Sequence, residues 1–193
     1  MNDKIKILGI AGSLRKDSFN KAALRAAAGL VPDSAEIEIY DIDGFPCFNQ
    51  DMDQDPPGKV TEFKQKIRDA DAILFSSPEY NYSIPGVLKN AIDWASRPYG
   101  DSAWDGKPAA IMGCSPGNIG TARMQYHLRQ VMVFLNMFPL NRPEVMIGKC
   151  AEKFDSDGNL TDEKTKEFIG QMLVSLVDWT VRLKGDKAAV RSP

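Results

Sequence analysis

Five short apolar runs, each followed by a stretch with helical spacing, constrain this chain more than any other feature of its 193 residues. Lys4 to Ala11 (KIKILGIA) reads as a buried strand that stops at Gly12-Ser13, and Asn20 to Leu30, rich in Ala, Leu and Lys, reads as the helix after it. Glu36 to Tyr40 (EIEIY) alternates with period two, the pattern of a strand exposed on one side near a sheet edge. Residues 41 to 58 are loop, and Val60, Phe63, Ile67 and Ala70 then recur at helical spacing to about Asp69. Ala72 to Ser76 (AILFS) is a second buried strand, with Pro85 to Ala95 as its helix. Lys107 to Gly113 is the fourth strand, Thr121 to Leu135 its helix, and Glu144 to Ile147 the fifth strand. A terminal helix over Thr161 to Lys184 follows.

Parallel strands need long crossover connections, so this alternation predicts an α/β chain with helices on both faces of a parallel sheet. The length suits one domain over residues 1–185, with 186–193 as a frayed tail. In such sheets ligands bind beyond the carboxyl ends of the strands, which directs attention to the loops after strands one, three and four.

The first loop, GIAGSLRKDSFN (Gly9 to Asn20), enters a helix N-terminus, where unpaired N–H groups and the helix dipole favour an anion. Ser13, Ser18 and Asn20 add neutral donors and Arg15 a guanidinium, a set suited to a phosphate monoester. The plainer alternative makes Ser18 only a helix cap and Arg15 a solvated charge. Neither GxGxxG nor GK[ST] occurs. The second loop, SSPEYNYSIPG (Ser76 to Gly86), concentrates two tyrosines, an asparagine and a glutamate that suit a wall for a flat heterocycle. The plainer alternative puts Tyr80 and Tyr82 in ordinary packing or a subunit contact. In the third, GCSPGNIGT (Gly113 to Thr121), Gly113, Gly117 and Gly120 let backbone amides approach a ligand edge, although a plain glycine-rich turn reads the same way.

Composition removes several classes. A net charge of −2 gives no footprint for nucleic acid, and no apolar stretch reaches membrane-spanning length. Three widely spaced cysteines fit neither a disulfide framework nor a zinc cluster, and the N-terminus lacks a signal-peptide pattern, so a cytoplasmic location is expected. The sole histidine, His127, lies in a helical stretch as a packed or interfacial residue, and nothing near Cys114 marks it as a low-pKa thiol. No catalytic acid, base, nucleophile or metal ligand is nominated.

The segments GSLRKDSFN, SPEYNYSIPGVLKNAIDW and GCSPGNIGTARMQYHLRQV, in this order, resemble the NADPH-dependent FMN reductase family, especially its quinone and chromate reductase branch. The resemblance covers nearly the whole chain. It implies a flavodoxin-like three-layer sandwich with a five-stranded sheet of order 2-1-3-4-5. It also implies non-covalent FMN, NADPH or NADH as donor, and a small-molecule acceptor: a quinone, chromate, an azo compound or a flavin. Carried over by position, Ser13, Arg15, Ser18 and Asn20 hold the FMN phosphate. Pro78, Glu79, Tyr80, Asn81 and Tyr82 line the ribityl and ring region, and Ser115, Gly117 and Gly120 edge the isoalloxazine. Arg97 or Lys107 is open as a partner for a 2′-phosphate. Arg15 departs from the arginine-free phosphate loop of true flavodoxins, which favours a reductase over a flavodoxin-type electron carrier or a non-catalytic flavin sensor.

The family resemblance also implies a homodimer or homotetramer, with Arg123, Tyr126 and Glu144 in an inter-subunit network. The mixture of Arg, Tyr and Met on the helix from Thr121 fits a subunit contact. The alternative pairs Glu144 with an arginine of its own chain.

Overall fold

A computed structural model describes residues 4–190, with side chains from 4 to 185. Strands β1 (Ile5–Ala11), β2 (Ala35–Tyr40), β3 (Ala72–Ser76) and β4 (Pro108–Cys114) are joined by helices α1 (Phe19–Leu30), α2 (Gly58–Asp69) and α3 (Gly86–Ala95). After α4 (Ala122–Phe134) come two short strands, β5 (Phe138–Pro139) and β6 (Val145–Ile147), and then α5 (Glu163–Val190). α5 runs past Lys184, where helical spacing alone ended it; residues 191–193, the end of the expected frayed tail, lie outside the described residues.

The sheet order is β2-β1-β3-β4-β5, with β6 also on β4, and every pairing is parallel. β3 and β4 are buried along their whole length, as continuous apolar runs in a covered sheet must be, whereas β2, at the edge, buries only its ends. Alternate strand residues feed separate cores. Ile7, Leu74 and Met112 pack with Leu24 and Leu173 beneath α1 and α5. Leu8, Phe75 and Ile111 pack with Phe63, Ile92 and Leu128 beneath α2, α3 and α4. A one-residue slip would exchange these faces, so the register is held from both sides.

The fifth strand read at Glu144 to Ile147 is β6, and a second short piece, β5, where the sequence reads as a turn, shares its position beside β4. β5 pairs Phe138 and Pro139 with Pro108 and Ala109, while β6 pairs Val145 to Ile147 with Met112 to Cys114. The amides of Phe138 and Leu140 donate to Lys107 and Ala109, so the imino nitrogen of Pro139 faces the open edge, where no donor is required. Pro143 withdraws a second donor between the pieces.

Candidate functional site

The three loops lie together because β1, β3 and β4 are adjacent and parallel and end at one edge. In the first, Ser18 is the N-cap of α1; its Oγ accepts from the amides of Asn20 (3.2 Å) and Lys21 (3.5 Å). That answers two of the helix's orphan donors and leaves the hydroxyl hydrogen for another acceptor. Ser13 is buried, and its Oγ accepts from the Arg15 amide at 3.3 Å. The Arg15 guanidinium turns back on its own loop, donating to the Asp17 carbonyl and lying 5.6 Å from the Phe19 ring centroid. Among the described residues, no protein acceptor meets the amides of Lys16 or Asp17. Unpaired amides, a helix N-terminus and a nearby guanidinium form a cradle that fits a terminal phosphate.

Asn20 departs from expectation. Only 3% exposed, it faces inward: its Nδ2 donates to the Cys114 carbonyl at 3.1 Å, and its Oδ1 accepts from the Cys114 amide at 2.8 Å. Ser76 Oγ donates to the Asn20 carbonyl at 2.9 Å. One side chain thus ties the start of α1 to the ends of β3 and β4, and it positions the loops instead of facing an anion.

The second loop leaves β3 through Ser77, whose amide donates to Met112 at 3.1 Å. Tyr80 and Ser83 exchange backbone bonds at 3.1 and 2.9 Å around Asn81 (φ 51°) and Tyr82 (φ 65°). Two positive φ values in sequence are the signature of a type I′ turn. Asn tolerates that region, but tyrosine there costs roughly 1–2 kcal/mol. The turn raises Tyr82 to 70% exposure, with Tyr80 and Asn81 also exposed and Pro78 half-buried. Glu79, expected along the ribityl chain, points the other way. Its Oε2 accepts from the amides of Arg123 and Met124 at 3.0 and 3.1 Å, and its Oε1 accepts from the Arg123 side chain. It caps α4, an acidic group at a positive helix end.

In the third loop the Ser115 amide donates to the Ile147 carbonyl and the Ser115 carbonyl accepts from the Cys150 amide, while the Gly117 carbonyl accepts from the Lys149 amide. Ser115 is half-buried and Gly117 exposed, so both edge the surface; Gly120 is buried with φ +66°. A Cβ on Gly120 would lie 2.9 Å from the Met146 carbonyl carbon, and one on Gly113 would lie 2.3 Å from both the Ser77 carbonyl and Thr121 Oγ1. The loop is therefore compressed between β3, α4 and the chain after β6. Cys114 beneath it is inert: burial, then the neighbouring Cys150 thiol, pushes its pKa well above the usual range.

Sequence reasoning missed the closing segment Gly148–Cys150 and the buried Ser76-Ser77 pair; glycine after a strand and serine at the end of an apolar run were the available signals. Lys107 is corrected as a 2′-phosphate partner. It precedes β4, at the end of the sheet opposite the loops, and its Nζ donates to the Arg68 and Ala70 carbonyls. Arg97 follows α3 and stacks on Tyr99 at 4.1 Å. Of the expected inter-subunit set, Arg123 pairs with Glu79 and the Tyr126 hydroxyl lies 3.5 Å from Glu144 Oε2, within one chain.

A parallel sheet of this order, with an anion cradle after its first strand, defines a flavodoxin-like α/β protein. The fold alone leaves the chemistry open. Residues 5–152 match the family of NADPH-dependent FMN reductases. The chain is 55% identical over 186 residues to an NAD(P)H-dependent FMN reductase of Pseudomonas aeruginosa, covering 96% of this chain and 100% of the relative. It is 46% identical to a 2-hydroxy-1,4-benzoquinone reductase of a Burkholderia species, covering 91% and 96%. The solved structure of the flavoenzyme NAD(P)H:(acceptor) oxidoreductase of Paracoccus denitrificans superposes with a TM-score of 0.85 at 40% identity, covering 92% and 97%. This chain belongs to the NADPH-dependent FMN reductase family. It is an oxidoreductase with FMN as cofactor and NADPH or NADH as donor.

Proposed function

We propose that the chain passes reducing equivalents from NADPH or NADH to quinones, with chromate, azo compounds and free flavins as further acceptors, as a single FMN-binding domain over residues 1–185. The observation that carries this reading is the open character of the loop edge. Tyr80, Tyr82, Gly117 and Ile119 are all exposed there, so the rim admits flat acceptors of varied outline and selects little by shape. The similarity to a benzoquinone reductase over most of both chains supports it.

Bound FMN supplies reversible acceptance of two electrons and a proton. The chain's part is position and polarity. Ser13, Ser18, Arg15 and the amides of Lys16 and Asp17 hold the phosphate. Pro78, Tyr80, Asn81 and Tyr82 line the ribityl and ring region, while Ser115, Gly117 and Gly120 edge the ring with backbone polar groups. Asn20 and Glu79 support these loops from behind.

Steady-state oxidation of NADPH and NADH against a panel of quinones, chromate, azo dyes and flavins tests the reading. Turnover with a quinone and parallel-line kinetics are expected of donor and acceptor alternating at one site. Yellow protein without turnover on any acceptor would instead make it a flavin sensor. The flavodoxin-type carrier is disfavoured by a net charge of only −2, since such carriers dock through acidic faces.

The same reading places the protein in the cytoplasm as a homodimer or homotetramer. Among the described residues no helix is long and apolar enough to cross a membrane. On α4, Tyr126, Val133 and Phe134 are exposed, an apolar grouping suited to a subunit contact. Light scattering across dilution checks this, and a monomer at micromolar concentration defeats it.

A further inference from the structure

Two observations about the Tyr80–Ser83 turn belong together. The turn holds a bulky residue, Tyr82, at positive φ, a conformation that persists only when the surroundings over-determine it. The surroundings that do so come from the first turns of α4. The Arg123 guanidinium carbon sits 3.8 Å from the Tyr82 ring centroid, a close cation–π stack. The same guanidinium is held by Glu79, whose side chain is only 5% exposed and whose carboxylate also caps the amides of Arg123 and Met124. On the far side of the turn, Ser83 Oγ is 2.8 Å from His127 Nδ1.

We propose that Glu79 and Arg123 are positioning residues that clamp the Tyr80–Ser83 turn onto α4 and so preset the aromatic rim of the flavin site. This rests on the reading that the second loop borders FMN. Glu79 fixes the plane of the guanidinium through a buried carboxylate, and that plane fixes the Tyr82 ring. The ring's other face stays open toward solvent, which its 70% exposure reflects. The stack requires a planar cation and a π face, and it makes no use of the tyrosine hydroxyl.

The test is a double-mutant cycle in Arg123→Ala and Tyr82→Ala, with Arg123→Lys, Tyr82→Phe and Glu79→Gln alongside. FMN dissociation constants are read by flavin fluorescence on reconstituted apoprotein, and KM and kcat separately on the holoenzyme. Each alanine variant is expected to weaken FMN or raise the acceptor KM about tenfold. The double variant should be no worse than the poorer single one, because both remove the same contact. Tyr82→Phe should retain most of what Tyr82→Ala loses, and Arg123→Lys should recover less than half of the loss, since an ammonium does not stack as a planar fork. Additive losses, a Tyr82→Phe variant as poor as Tyr82→Ala, or unchanged FMN and KM values in Arg123→Ala would overturn the clamp. Lower thermal stability with unchanged ligand constants would overturn it too, by reducing the pair to packing. If Arg123→Ala is insoluble, the exposed Tyr82 pair of variants decides the matter. Wild-type protein that neither binds FMN nor turns over would sink the functional reading itself, a different result from wild-type activity with silent variants.

Discussion

Asn20 and Cys114 exchange two hydrogen bonds across 94 residues of sequence, the asparagine amide answering both the carbonyl and the N–H at the last position of β4. The first loop, proposed to cradle the phosphate, and the glycine-rich loop are thereby held at a set spacing by one buried side chain. Asn20→Ala leaves both backbone groups unpaired in a buried place, at about 1–3 kcal/mol for each group. Urea unfolding is expected to show that loss, and FMN affinity to fall with it. A loss under about 0.5 kcal/mol, the scale of an ordinary surface change, would remove the bridging role.

Arg15 lies over its own loop, beside Phe19 at the head of α1. Arg15→Ala is expected to weaken FMN by about 1.5–3 kcal/mol, the range for a hydrogen bond to a charged group. FMN, and not FAD, should co-purify, because the cradle suits a terminal phosphate. Unchanged FMN affinity in the variant would take Arg15 out of the site.

Two glycines of the third loop should respond very differently to a methyl group. Gly113→Ala places a methyl group 2.3 Å from a backbone carbonyl and a buried threonine hydroxyl, which is overpacking worth about 1–3 kcal/mol or more. Gly117→Ala meets nothing nearer than Ser115 Oγ at 3.7 Å and should shift stability by less than about 0.5 kcal/mol. Thermal melts of the two apoproteins are the check, and equal effects would contradict the packing shown for this loop.

Acid should loosen the contact between α2 and the segment after α3. Asp101 binds Lys64 at 2.7 Å and Arg68 at 2.6 Å, and these bonds, Lys64 foremost, hold its carboxyl below the ordinary 3.8. A depressed folded pKa means stability that is fully present above the unfolded value and lost as pH falls through the folded one. The carboxylate is half exposed, so screening limits the effect to about 1 kcal/mol. Asp101→Asn should therefore trail the wild type at neutral pH and converge with it below pH 3.8. A gap that stays constant down to acid pH would show that charge is not the cause.

Much of the architecture was legible locally. Apolar runs such as Ala72–Ser76 and the helical spacing of Val60, Phe63 and Ile67 report which residues face a core, because periodicity and burial are linked by backbone geometry. The division of β5 from β6 was not legible, since it depends on how residues 138–147 pair with β4, a strand some thirty residues earlier in the chain.

The same division runs through the site. From its sequence alone the chain determined where its loops fall, that the first suits a phosphate, and that the second is aromatic, because these follow from residue types beside a helix start or a strand end. Only the tertiary structure decided that Asn20 turns inward to Cys114, that Glu79 caps α4 and holds Arg123, and that Lys107 sits at the far end of the sheet. A polar side chain takes the partner that leaves the fewest buried groups unpaired, and for Glu79 and Asn20 those partners lie 44 and 94 residues away, where no local pattern reaches.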